Sequence, residues 1–125
     1  MINPVTSADA PAAIGPYSQG VAAGEFVFVS GQLPVNPADG TIPDGVAAQA
    51  EQSLANVEAI LSAAGLGMGD VVKTLVLLSD MEHFAEVNEV YASKFAEPYP
   101  ARSCFAVKGL PKGADVEIEV IARRA

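Results

Sequence analysis

At 125 residues, half of them apolar, the chain has material for one hydrophobic core and reads as a single domain spanning residues 1–125. Fifteen acidic residues against seven basic ones leave a net charge of −8, which repels phosphate backbones and anionic lipid, so neither nucleic acid nor a membrane is an expected partner. One cysteine and one histidine cannot form an internal disulfide or a zinc site of ordinary spacing; with no leader pattern and no run approaching the ~20 apolar residues of a membrane span, the expectation is a soluble, cytoplasmic protein.

Pro4 to Pro16 is rich in Pro, Ala and Gly and reads as an extended or turning lead-in draped over the domain. Ser18–Ala23 and Glu25–Gly31 then read as strands joined by a tight turn at Gly24, with Phe26, Phe28 and Ser30 on one face and Val27 and Val29 on the other. The prolines and glycines of Leu33–Gly45 predict a surface loop. Val46, Ala50, Leu54, Val57, Leu61 and Ala64 recur at steps of three and four, which predicts an amphipathic helix stopping at Gly65. The glycines of Gly65–Gly69 follow that helix instead of preceding one, so they do not make a phosphate loop.

Asp70–Leu78 is a β-branched and leucine run of strand length, and Ser79-Asp80-Met81-Glu82 fits a capping box opening a second helix. Met81, Phe84, Asn88, Tyr91 and Phe95 share one stripe of it; Asn88 is the odd member, because burying an unpartnered amide costs ~1–3 kcal/mol. Pro98 and Pro100 end the helix, and two strands follow, Ala101–Val107 and Asp115–Ala122, with a Leu-Pro-Lys-Gly turn between them.

The order ββαβαββ predicts an α+β sandwich, with two helices on one face of a mixed sheet and a hairpin at each end. Two helices cannot cover both faces of a six-stranded sheet, yet the strands are apolar on both sides, as in Val72, Leu75 and Leu77 against Val71, Val76 and Leu78. A second copy of the sheet is the simplest cover, so a closed homo-oligomer with its crevices at subunit boundaries is expected.

Arg102 and Cys104 share one strand face, and Glu117 and Glu119 share a face of the next strand. A hairpin between these strands could bring the guanidinium, thiol and carboxylate together, although the register is open. Two readings stand for Arg102. It could form a structural ion pair with a glutamate, beside an inert buried Cys104, or it could bind an anionic ligand, because a guanidinium grips a carboxylate bidentately. Tyr17 and Ser30 are weaker candidates, reading on their own as a packing plug and a strand end, and His83 reads as a surface residue of the second helix's first turn.

The segments IGPYSQG (Ile14–Gly20), FVFVSGQLP (Phe26–Pro34) and PARSCFAV with VEIEVIA (Pro100–Ala122) closely resemble, in order, the RidA family, also called YjgF or reactive intermediate deaminases. The resemblance implies a chorismate-mutase-like fold and a homotrimer, with an inner barrel of sheets and ligand sites in the clefts between subunits. It implies hydrolysis of 2-aminoacrylate/2-iminopropanoate and 2-iminobutanoate to 2-keto acids and ammonia, without a cofactor. Small 2-imino and 2-keto carboxylic acids would be its ligands.

By the same resemblance, Arg102 binds the substrate carboxylate and Glu117 positions or activates water. Cys104 shapes the pocket and places the ligand partly through its backbone. Tyr17, Ser30, Gly31 and Asn88 complete the lining, and Phe105, Ala106 and Gly109 fall where the family varies. A non-catalytic trimer, carboxylate-sensing or chaperone-like, and an RNA-cleaving or translation-inhibiting protein are the alternatives; the paired Arg102 and Glu117 weigh against the first and the charge against the second.

Overall fold

The computed structural model describes residues 1–125 and holds six strands and two α-helices. In chain order these are β1 (Asn3–Val5), β2 (Gly20–Ala23), β3 (Phe26–Gln32), α1 (Val46–Ala63), β4 (Val71–Leu78), α2 (Phe84–Lys94), β5 (Ala101–Ala106) and β6 (Val116–Arg123). They form one mixed sheet of order β1-β2-β3-β6-β4-β5, in which only β4 and β5 are parallel. No helix is long and apolar enough to cross a membrane.

Both helices lie on one face. The α1 stripe Val46, Ala50, Leu54, Val57 and Leu61 is buried, joined by Ile60 and by the strand residues Val27, Val29, Val76, Leu78, Val116, Ile118 and Val120. Burying each of the larger of these side chains contributes about 1.5–3 kcal/mol. Gly65, at φ 77°, ends the helix in the left-handed conformation expected of a C-terminal glycine. The capping box shifts by one residue and opens a 3-10 turn, Met81–His83, that leads into α2: Asp80, not Ser79, accepts a hydrogen bond from the Glu82 N–H at 2.8 Å. The Ser79 hydroxyl instead donates to Asp115 Oδ1 at 2.7 Å, tying the end of β4 to the start of β6.

Two expectations are corrected. The lead-in does not merely drape, because Asn3–Val5 pairs antiparallel with β2 and supplies the sixth strand missing from the order ββαβαββ. Nor do β5 and β6 form a hairpin: β4 lies between them, antiparallel to β6 and parallel to β5. Burial accounts for the order. The β6 row Val116, Ile118, Val120 and Ala122 is almost wholly buried and pairs on both edges, while every residue of β5 keeps some exposure and the strand sits at the sheet's edge. A strand carrying a charge on its inward face belongs at an edge, where the charge still reaches water.

The opposite face carries no helix, and Phe26, Phe28, Val72 and Phe105 are 36–48% exposed there. Val72 stands at a register shift between β4 and β6, so the apolar row Val72, Leu75 and Leu77 keeps to this outer face while Val71, Val76 and Leu78 point into the core.

Candidate active site

The register separates the two residues that the sequence sets at the centre of the chemistry. Thr74 pairs with Arg102 on one side and Val120 on the other, and Val76 pairs with Cys104 and Ile118, so Arg102 and Cys104 share the helix-covered face. Leu77 pairs with Phe105 and Glu117, which places Glu117 on the outer face. Within one chain the guanidinium and the carboxylate therefore stand on opposite sides of the sheet. The sequence-based idea that their faces coincide fails because it assumed a β5–β6 hairpin.

Each residue lies in a hollow of its own. The first is about 480 Å³, lined by Asn88, Tyr91, Ala92, Tyr99, Pro100 and Arg102. Arg102 Nη1 donates to Asn88 Oδ1 at 2.7 Å, giving the α2 amide the partner its position demands. The guanidinium carbon lies 4.7 Å from the centre of the Tyr91 ring and 5.6 Å from that of Phe84, within cation–π range. The chain's ion pairs join Lys94 to Glu51, Arg123 to Glu25 and, more loosely, His83 to Asp115; none involves Arg102. The structural ion pair is thus set aside. What remains is a fork of five donors with one committed to a neutral amide, an arrangement suited to an anion.

Beside it, the Val107 N–H donates to the Leu78 carbonyl at 2.9 Å. Backbone groups along a strand alternate between its two edges, so Arg102 and Cys104 turn theirs to the open edge of β5. Burial raises the Cys104 thiol above its ordinary pKa, opposed by the charge of Arg102. A thiol held protonated is a poor nucleophile. What the residue has to offer a neighbouring ligand is therefore its shape and its backbone N–H.

The second hollow, about 400 Å³, is lined by Ile14, Tyr17, Gly31, Leu33, Lys112 and Glu117, among others. Backbone irregularity builds it. Between Val29 and Gln32 the β3–β6 register slips, making Ser30 and Gly31 a bulge. A Cβ at Gly31 would collide with the Glu117 carboxylate and lie 2.9 Å from its Cδ, so only glycine admits this approach. The Ser30 hydroxyl donates to the Ser18 carbonyl at 2.6 Å, clamping the bulge to the segment after Tyr17. Burial raises the Glu117 carboxyl above its ordinary pKa, and the charge of Glu119 adds to the effect. A carboxylate so raised is a stronger proton acceptor.

Of the seven residues singled out in the sequence, Arg102, Asn88 and Cys104 gather at the β5–α2 side, and Tyr17, Ser30, Gly31 and Glu117 at the β3–β6 side. Two others were missed. Tyr91 reads as a core position of α2, yet its ring supports Arg102. Gln19 sits inside the IGPYSQG motif, and its amide donates to the carbonyls of Ser7, Ala10 and Pro11 while its oxygen accepts from the Ser7 N–H, pinning the lead-in that carries Tyr17. Its place inside the IGPYSQG motif was the one signal the sequence carried. His, Cys, Asp and Glu side chains nowhere converge in threes, as a metal site would require.

Residues 7–124 match the family model described as Endoribonuclease L-PSP. The chain is 53% identical over 127 residues to the 2-iminobutanoate/2-iminopropanoate deaminase of Escherichia coli, covering 99% of each. The chain belongs to the RidA/YjgF family. Two solved structures from E. coli share its fold. The YjgF gene product superposes with a TM-score of 0.95 at 52% identity, covering 98% of this chain and 99% of that one. TdcF with bound serine superposes with a TM-score of 0.94 at 50% identity, with the same coverage.

Proposed function

We propose that this protein hydrolyses small 2-imino acids and their enamine tautomers, 2-iminobutanoate and 2-iminopropanoate foremost, to 2-keto acids and ammonia. The observation that carries the reading is Arg102, an exposed guanidinium buttressed by two aromatic rings and one amide, with no acidic partner and its donors facing a hollow. Full-length identity to the E. coli deaminase supports the reaction class, and the serine held by TdcF is an α-amino acid whose carboxylate suits such a fork.

In this reading Arg102 grips the substrate carboxylate, helped by the Cys104 N–H, and fixes the imine carbon in place. Glu117 takes a proton from water as its oxygen bonds to that carbon. The resulting carbinolamine expels ammonia, with a proton returned to the departing nitrogen, and the 2-keto acid remains. A protonated imine is already electrophilic, so orientation and proton transfer are the protein's task.

Because Arg102 and Glu117 lie on opposite sheet faces, the complete site is made by two copies: the Arg102 hollow of one meets the Glu117 hollow of its neighbour. A trimer closing the exposed Phe26, Phe28, Val72 and Phe105 face into an inner barrel, chorismate-mutase-like in form, provides this arrangement. The test follows 2-iminobutanoate, generated by a threonine dehydratase, with and without this protein. Faster decay to 2-oxobutanoate is expected, and decay equal to buffer alone would return the protein to the class of carboxylate binders. RNA incubated in parallel is expected to stay intact, given the net charge of −8.

A further inference from the structure

Arg102 is exposed, and a long exposed side chain holds a ligand in one pose only if something holds the side chain. Asn88 holds one nitrogen, and the Tyr91 ring lies beneath the guanidinium, its centre 4.7 Å from the guanidinium carbon. Tyr91 is itself buried on α2, with the Phe95 ring packed against it, centroids 4.5 Å apart and planes tilted by 37°. Its hydroxyl makes one side-chain hydrogen bond, 2.8 Å to the hydroxyl of Thr74.

Thr74 is wholly buried and is the one polar residue in the core-facing row of β4, where Val71, Val76 and Leu78 are its companions. In the register it stands directly opposite Arg102. A valine would fill the same volume in that row without needing a partner, so the hydroxyl is there for the bond it makes. That bond runs from the sheet, through the Tyr91 ring, to the face on which the guanidinium rests.

We propose that Thr74 is a positioning residue for substrate binding: its bond to Tyr91 fixes the tilt of the ring, and the ring fixes the plane of Arg102. The proposal rests on Arg102 as the carboxylate anchor and adds to it a dependence on a residue that touches no substrate. Phe84, farther from the guanidinium and free of any polar tether, cannot supply the same constraint.

Thr74→Val strands the Tyr91 hydroxyl, and Tyr91→Phe strands that of Thr74; each costs stability through a buried unpartnered group. Removing both hydroxyls leaves an apolar contact of nearly unchanged shape, which is close to neutral for folding. The double variant thus separates positioning from stability. In the intact oligomer, each single variant is expected to raise KM for 2-iminobutanoate and Kd for 2-oxobutanoate about five- to tenfold, with kcat within about twofold. Thr74→Ser restores both constants. The double variant recovers the thermal midpoint but keeps the weakened binding. Binding that recovers together with the midpoint, or that never weakens in the singles, overturns the proposal. Arg102→Lys is run alongside: if it leaves Kd unchanged the anchor itself is wrong, whereas a weakened Arg102→Lys beside an unaffected Thr74→Val removes only the role of Thr74.

Discussion

Around Arg102 the site is made by side chains packed on side chains, whereas around Glu117 it is made by backbone that departs from regular strand geometry. On the first side, Asn88, Tyr91 and Phe84 project from a continuous helix onto a guanidinium on an edge strand. On the second, a bulge at Ser30 and Gly31 opens space for a carboxylate, and a lead-in pinned by Gln19 closes over it. Binding a fixed carboxylate calls for a rigid, preorganised fork, while moving a proton calls for a group whose ionisation the surroundings can shift. Each construction suits the task proposed for it.

Substitutions should separate the halves. Arg102→Ala removes a charge-assisted grip, and kcat/KM is expected to fall about 10²- to 10³-fold. Glu117→Gln keeps the shape and the ligand grip but removes the proton acceptor, so kcat falls about 10²-fold while Kd for 2-oxobutanoate changes little. An equal loss of binding in both variants would collapse the distinction. Gly31→Ala pushes the Glu117 carboxylate aside and is expected to lower kcat about tenfold with binding intact. Cys104→Ala retains the backbone N–H and should cost less than about threefold, measured in the same coupled assay.

Glu117 also links the site to stability. Its carboxyl is raised in the folded chain, mainly by burial, so the folded state holds that proton to higher pH than the unfolded state does. Its contribution to stability therefore falls as pH rises from the ordinary carboxylate value through the raised one. Replacing it with Gln removes this loss. The difference in thermal midpoint, variant minus wild type, is expected to be more positive at pH 7 than at pH 4, and an opposite slope would mean that a cation holds the carboxylate ionised.

Alternation and periodicity carried much of this into view. The stripe of α1, the end at Gly65, the shared face of Arg102 and Cys104 and the opposed rows of β6 follow from local spacing, which burial enforces. The insertion of β6 between β3 and β4 does not, because alternation says which face a residue takes and nothing about which strand lies beside it. For the same reason a hairpin reading put Arg102 and Glu117 together when the fold puts them apart. β1 escaped notice because three residues with a central Pro4 make a weak strand signal, and only an edge position tolerates it. Tyr91 read only as a stripe position and Gln19 drew no reading, since their partners, Arg102 and the Ser7–Pro11 carbonyls, lie across loops or on other elements.

The claim that the site is shared by two copies is tested most directly by complementation. Arg102→Ala and Glu117→Ala proteins, each inactive alone, are unfolded together at equal concentration and refolded as a mixture. If each site joins Arg102 of one copy to Glu117 of the next in a trimer, three quarters of randomly assembled trimers are mixed and each holds one intact site of three, so about a quarter of wild-type activity returns. A mixture that co-assembles yet stays as inactive as its components would contradict the account, because it would place Arg102 and Glu117 of the same chain in one site.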